Sequence, residues 1–207
     1  MGQGLFITFE GGEGVGKTTQ IQRLEASLSS MGKTVLRTRE PGGTQVGEVI
    51  RGVLLDKQLP DMHEDTELLL MFAARAEHFQ RVISPGLAAG KIVLSDRFAD
   101  ASHVYQGAGR GIDDGKIERL ERWTLGDFQP DMTFLLDMAV TSGMQRVHQR
   151  GECDRFEQED LAFFENIRQG YLARARKYPE RFVVINAAEE IEMVEKHIMT
   201  AVKSRLT

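Results

Sequence analysis

The sequence carries one cysteine, Cys153, and a lone thiol cannot close an intramolecular disulfide. No basic segment followed by a long apolar stretch stands at the N-terminus, so cytoplasmic residence is the default expectation. Long hydrophobic runs are missing as well. The longest, such as Thr133 to Met138, are far too short to span a bilayer, and no membrane partner is expected. Positive charge is in deficit: 26 Lys and Arg face 31 Asp and Glu, a formal net charge of −5 over 207 residues. That balance argues against a nucleic-acid-coating protein, whose affinity would come from clustered cations. Small anions stay admissible, because local charge and net charge can differ in sign. Internal repeats, low-complexity tracts and linkers rich in Pro, Gly and Ser are also absent, so residues 1–207 read as a single domain. The five histidines show no metal-ligand spacing, and none stands beside a Ser or Cys nucleophile.

What the chain has in excess is glycine, 21 positions, with no G-X-Y period to suggest collagen. Hydrophobic content of 41% and charged content of 28% describe a folded chain. Short runs rich in β-formers alternate with helical patterns. Leu5 to Glu10, Thr34 to Glu40, Ile92 to Asp96, Met132 to Asp137 and Phe182 to Asn186 predict strands. Most are nearly continuous in apolar residues, as suits strands covered on both faces of a parallel sheet. Helices are predicted over Lys17 to Met31, Val46 to Leu55, Asp65 to Ala89, Asp113 to Gly126, Thr141 to Arg150, Gln158 to Tyr178 and Glu189 to Leu206. Gly107, Gly109 and Gly111 mark a loop. The order is that of a doubly wound α/β domain.

The sharpest motif is GGEGVGKT, Gly11 to Thr18, between the first strand and the first helix. It matches G-x-x-x-x-G-K-[ST], a loop whose backbone N–H groups turn toward phosphate. The helix N-terminus behind it adds partial positive charge. Gly11, Gly12, Glu13, Gly14, Val15, Gly16, Lys17 and Thr18 are thus the expected ATP-binding residues, with Lys17 on the phosphates and Thr18 on Mg²⁺. A guanine-reading N-K-x-D and a D-x-x-G are both missing, which counts against a GTPase switch. Arginines follow the predicted strands instead: Arg39 after the second, Arg97 after the third, Arg150 and Arg155 after the fourth. Ligands of open α/β sheets bind at those carboxyl ends, and the arginine fork suits phosphate. Asp96, ending its strand, fits a carboxylate that acts on Mg²⁺ through water, or else a helix N-cap.

Together FEGGEGVGKTTQ, TREPGGT, LLLMFAARAEH, DRFADASHVYQGAGRG and RGECDRFE resemble the bacterial thymidylate kinases of the nucleoside monophosphate kinase group. The resemblance spans most of the chain in the expected order. It implies a P-loop kinase fold, a five-stranded parallel sheet flanked by helices, with a mobile lid at about residues 150–157, and a homodimer. The implied substrates are ATP and dTMP. The implied dTMP-binding residues are Glu13 near the sugar 3′-hydroxyl, Arg39 and Arg97 at the 5′-phosphate, Arg75 at the thymine 4-carbonyl, and Ser102 and Gln106 at the base edge. Tyr105 corresponds to the ring that crowds the 2′ position. The family's ring stacked on thymine lies four residues before the arginine, where this chain has Met71; Phe72 stands three before Arg75, and since both spacings keep a side chain near the same helix face, Phe72 is taken as the ring with Met71 as the alternative. Lys17, Arg97, Arg150 and Arg155 are the implied catalytic cations, with the lid supplying the transition-state arginine because Gly12 to Val15 contains none. Cys153 has no implied role. The rivals are a deoxynucleoside kinase, which needs a carboxylate base and fewer acceptor-side arginines, and a nucleotide-sensing switch.

Overall fold

The computed structural model describes residues 4–151 and 155–206, with the backbone alone at Arg150 and Gln158. Five strands, β1 (Leu5–Glu10), β2 (Val35–Arg39), β3 (Ile92–Asp96), β4 (Met132–Asp137) and β5 (Phe182–Asn186), pair in parallel in the order β2-β3-β1-β4-β5. The helices are α1 (Lys17–Ser30), α2 (Gln45–Leu55), α3 (Glu64–His78), α4 (Ser84–Ala88), α5 (Ala99–Ser102), α6 (Asp114–Leu125), α7 (Val140–Arg150), α8 (Leu161–Lys177) and α9 (Ile191–Leu206).

The near-continuous apolar strands are buried on both faces. The two-residue period of β1 sends Ile7 and Phe9 against Ile21, Leu24 and Leu28 of α1 and Val194, Ile198 and Val202 of α9. Phe6 points the other way and packs with Val93, Ile83 and Phe98. On that second face Leu135 of β4 meets Phe164, Ile167 and Tyr171 of α8. Each such side chain, fully buried, contributes about 1.5–3 kcal/mol relative to exposure. The edge strands β2 and β5 are only partly buried. The register pairs Asp96 with Phe9 and with Arg39, and Glu10 with Leu135. Loops after β1, β2 and β3 therefore leave from one level of one sheet edge, where ligands of such sheets bind.

Two predicted elements differ in kind, and one further helix differs in where it begins. The helix expected over Asp65 to Ala89 is α3 and α4 joined by a π-type turn, Phe79–Ile83. Pro85 explains it, since proline has no N–H to donate and its ring clashes with the carbonyl four residues earlier, so the backbone widens there. The loop expected around Gly107 and Gly109 is helical: α5 runs on into a π-helical segment, His103–Gly109. Its glycines serve contact, not turning. A Cβ on Gly109 would come 2.7 Å from the Phe163 ring of α8, and one on Gly170 of α8 would come 2.9 Å from Ala108. Only Gly111, at φ 80°, turns the chain. The helix expected from Gln158 begins at Leu161, where Asp160 caps it by accepting the Phe163 N–H at 2.7 Å.

Candidate active site

The loop Gly11 to Thr18 enters α1 at Gly16, whose φ is 92°. At Gly14, φ 70°, a side chain would run into the Gly143 carbonyl of α7, and a Cβ on Gly143 would come 2.5 Å from the Glu13 carbonyl. The two backbones are pressed together, which fixes the loop against α7. Lys17 is buried, and its ammonium donates to the carbonyls of Gly11 at 3.2 Å and Gly12 at 2.8 Å. Burial first, and then Arg97, pull its pKa below the ordinary lysine value. The Thr18 hydroxyl lies 3.3 Å from an Asp96 carboxylate oxygen, to which it donates. Paired hard oxygens of this kind are donors that suit Mg²⁺.

This loop forms one wall of a cleft of about 890 Å³ whose other lining includes Arg39, Met71, Arg75, Asp96, Arg97, Ser102, Tyr105 and Gln106. Arg97 is its hub. Its φ of 68° is a left-handed conformation costing a non-glycine residue about 1–3 kcal/mol. Two backbone hydrogen bonds hold it there: its N–H donates to the Phe9 carbonyl at 2.9 Å, and its carbonyl accepts from the Ser95 hydroxyl at 2.7 Å. The guanidinium then donates to the Gly11 carbonyl (2.9 Å), the Tyr171 hydroxyl (3.0 Å), the Glu13 carboxylate (2.6 Å) and the Tyr105 hydroxyl (2.9 Å). Burial alone would lower its pKa, but Tyr105, Glu13 and Tyr171 raise it well above the ordinary value, so the charge is permanent. Tyr105 also donates to Glu13 at 2.7 Å. Burial, with Glu13 beside it, pushes the Tyr105 phenol well up against the pull of Arg97. It stays a neutral donor.

Arg75 is buried on α3 and donates from Nε to Glu40 at 2.8 Å and from Nη2 to the Phe98 carbonyl at 3.1 Å. Gln106 donates to Glu67 at 2.9 Å. Arg39 is more than half exposed and pairs with Glu48 at 2.8 Å.

A family model described as thymidylate kinase matches residues 9–198. A thymidylate kinase of Nitrosospira multiformis is 50% identical over 196 residues, covering 95% of each chain. One of Alcanivorax borkumensis is 50% identical over 200 residues, covering 97% of this chain and 96% of its own. The chain belongs to the thymidylate kinase family. A crystal structure of thymidylate kinase from Ehrlichia chaffeensis superposes with a TM-score of 0.81 at 34% identity, over 97% of this chain and all of that one. The P-loop kinase fold with its five-stranded parallel sheet is thus established.

Within this thymidylate kinase fold most of the expected residues converge on one cleft: the loop from Glu13 to Thr18 with Arg39, Arg75, Asp96, Arg97, Ser102, Tyr105 and Gln106. Phe72 does not. Its ring is buried with Leu68, Ile112 and Ile117, under the Arg75 guanidinium at 4.5 Å, while Met71 lines the cleft. One residue is 100° of helix, and that rotation decides which side chain faces in. Arg155 pairs with Glu67 and donates to the Leu54 carbonyl at 2.8 Å, which sets its guanidinium against α2 and α3. The Arg150 side chain and Cys153 lie outside the described residues. Sequence reasoning missed Arg51 and Arg146, which line the cleft, and the buried supports Glu10, Glu40, Glu67, His78 and Tyr171. Glu10 accepts from the Phe98 N–H at 2.8 Å and from the Tyr171 hydroxyl at 2.7 Å. Burial, then Asp100, raise its carboxyl to about 7. Glu40 stands inside TREPGGT and His78 ends LLLMFAARAEH, so the motifs themselves held the only available signal.

Proposed function

We propose that this chain transfers the γ-phosphoryl group of MgATP to dTMP, giving ADP and dTDP on the way to dTTP, within one domain whose segment 150–157 serves as a lid. The observation that carries this reading is Arg97, one guanidinium bonded both to the P-loop carbonyl of Gly11 and to Tyr105 of the segment that follows β3. A cation in that position can neutralise charge as donor and acceptor phosphates approach. The P-loop with Lys17 holds the ATP phosphates. Arg39 and Arg97 hold the dTMP phosphate. Arg75, Ser102 and Gln106 read the base, Met71 packs on it, and Tyr105 and Glu13 frame the sugar. Thr18 and Asp96 hold Mg²⁺, which when bound neutralises phosphate charge.

A monophosphate has a second pKa near 6 and is already largely a dianion at neutral pH, so the acceptor requires no general base. Glu13 agrees with this, since its carboxylate accepts from Arg97 and Tyr105 and acts in positioning. Catalysis is then alignment and charge neutralisation. On the lid side, Arg146 lines the cleft and joins Arg150 as a proposed phosphate-side cation, whereas Arg155 works through Glu67. A panel of nucleoside monophosphates with coupled ADP detection tests the reading: dTMP should be the strong acceptor, with dUMP and thymidine weak. Turnover with thymidine and none with dTMP would overturn it.

The proposed location is the cytoplasm; among the described residues no helix is long and apolar enough to cross a membrane. The proposed assembly is a homodimer. Apolar side chains for such a contact are exposed on neighbouring helices: Val46, Val49 and Val53 along α2, Leu69 on α3 and Trp123 on α6, with α3 packed on both α2 and α6.

A further inference from the structure

Arg75 offers a single uncommitted nitrogen. Nε is bonded to Glu40 and Nη2 to the Phe98 carbonyl, while Nη1 is buried and has no hydrogen-bond partner among the described residues. The guanidinium plane rests on the Phe72 ring at 4.5 Å. Two pinned nitrogens and a stacked face leave this planar group no rotation to spare.

What pins Nε is itself pinned. The other oxygen of Glu40 faces His78 Nδ1 at 2.9 Å, and His78 Nε2 faces the Thr38 hydroxyl at 2.6 Å. A neutral ring protonated at Nδ1 donates to Glu40 and accepts from Thr38, so every partner in the series is of the right kind. His78 has no solvent exposure and Glu40 has 5%. Gly43 makes room for the arrangement, since a Cβ there would come 2.6 Å from both the His78 ring and the Thr38 hydroxyl. Burial by itself would raise the Glu40 carboxyl, yet Arg75 and the His78 bond hold it below the ordinary value, so it remains an anion.

We propose that Glu40 and His78 are positioning residues that aim Arg75, and thereby set the preference for a pyrimidine bearing a 4-carbonyl over one bearing a 4-amine. The inference rests on the base-reading role of Arg75 given above. A 4-carbonyl accepts from Nη1, whereas a 4-amine meets it donor to donor and leaves the buried N–H unpaired, a penalty that grows with the rigidity of the donor.

The test compares kcat/KM for dTMP and dCMP at saturating ATP. Arg75→Met should collapse the ratio. His78→Leu should lower it about tenfold through the KM for the monophosphate, leaving the KM for ATP unchanged. His78→Asn, whose amide N–H still reaches toward Glu40, should recover most of that loss, and His78→Leu added to Arg75→Met should change the ratio no further. An Arg75→Met enzyme with an unaltered ratio would sink the base-reading role itself. A ratio that falls in Arg75→Met but not in His78→Leu, or losses that simply multiply in the double variant, would overturn the positioning role alone. If His78→Leu does not fold, Thr38→Val cuts the outer hydrogen bond and carries the same test, with an expected fall of about threefold; no fall there overturns the proposal.

Discussion

Arg97 is the residue on which the cleft turns, because it is held from behind as well as from the front. Backbone bonds to Phe9 and Ser95 fix its left-handed conformation, and Tyr171, anchored on Glu10, fixes one guanidinium nitrogen. Replacing Arg97 with Ala should raise the KM for dTMP about tenfold or more and that for ATP much less. Steady-state kinetics with each substrate varied checks this, and equal effects would contradict an acceptor-side position. Arg155 makes a contrasting case. Its pairing with Glu67, which also accepts from Gln106, predicts that Arg155→Ala acts mainly on the KM for dTMP. A fall in kcat of about a hundredfold or more at unchanged KM would return Arg155 to the phosphates. Phosphate chemistry was legible in the sequence because a P-loop and strand-end arginines are local patterns. The supports were not: Tyr171 and Glu40 are ordinary letters until the fold brings them within hydrogen-bond reach of Arg97 and Arg75, and Glu10 until it meets the Tyr171 hydroxyl. Phe72 and Met71 differ by a rotation that residue spacing alone left open.

Strands were the most legible elements, since burial on both faces writes itself as unbroken apolar runs, and β1, β3, β4 and β5 match those runs end for end. The segment Ala99–Gly109 was not, because glycine is read as a turn when it can equally serve close packing. Here Gly109 lets the acceptor-side helix settle on α8, which in turn carries Tyr171 toward Arg97. Gly109→Ala pushes a methyl into the Phe163 ring, an overpacking change expected to cost about 1–3 kcal/mol. Urea unfolding measures it, and an unchanged midpoint would mean that the two helices have slack between them. The KM for dTMP should rise in the same variant, because Ser102, Tyr105 and Gln106 ride on the displaced element.

For the molecule as a whole, two buried carboxylates give stability opposite dependences on pH. Asp100 joins α5 to Arg174 of α8, at 2.5 Å, and to Arg181 ahead of β5, at 2.6 Å. Burial would raise it, but Arg174 and Arg181 bring it from 3.8 down to about 2. Its contribution is therefore present above about 3.8 and lost as pH falls toward 2. Glu10 runs the other way, from 4.5 up to about 7: the unfolded chain releases that proton first, so stability declines as pH rises between those values. Thermal melts across pH should show Glu10→Gln gaining on the parent protein between about 4.5 and 7; a constant difference would exclude a protonated Glu10. Asp100→Asn, which strands two arginines, should cost about 3–5 kcal/mol, read from the same melts at neutral pH. Trp123, the chain's single indole and 82% exposed, has an optical consequence. Its emission in the monomer should be that of a hydrated indole and should change little on unfolding, so tryptophan fluorescence would be blind to the core. A blue shift on concentrating the protein would report α6 entering the proposed dimer contact, and constant emission in a proven dimer would keep Trp123 out of that contact.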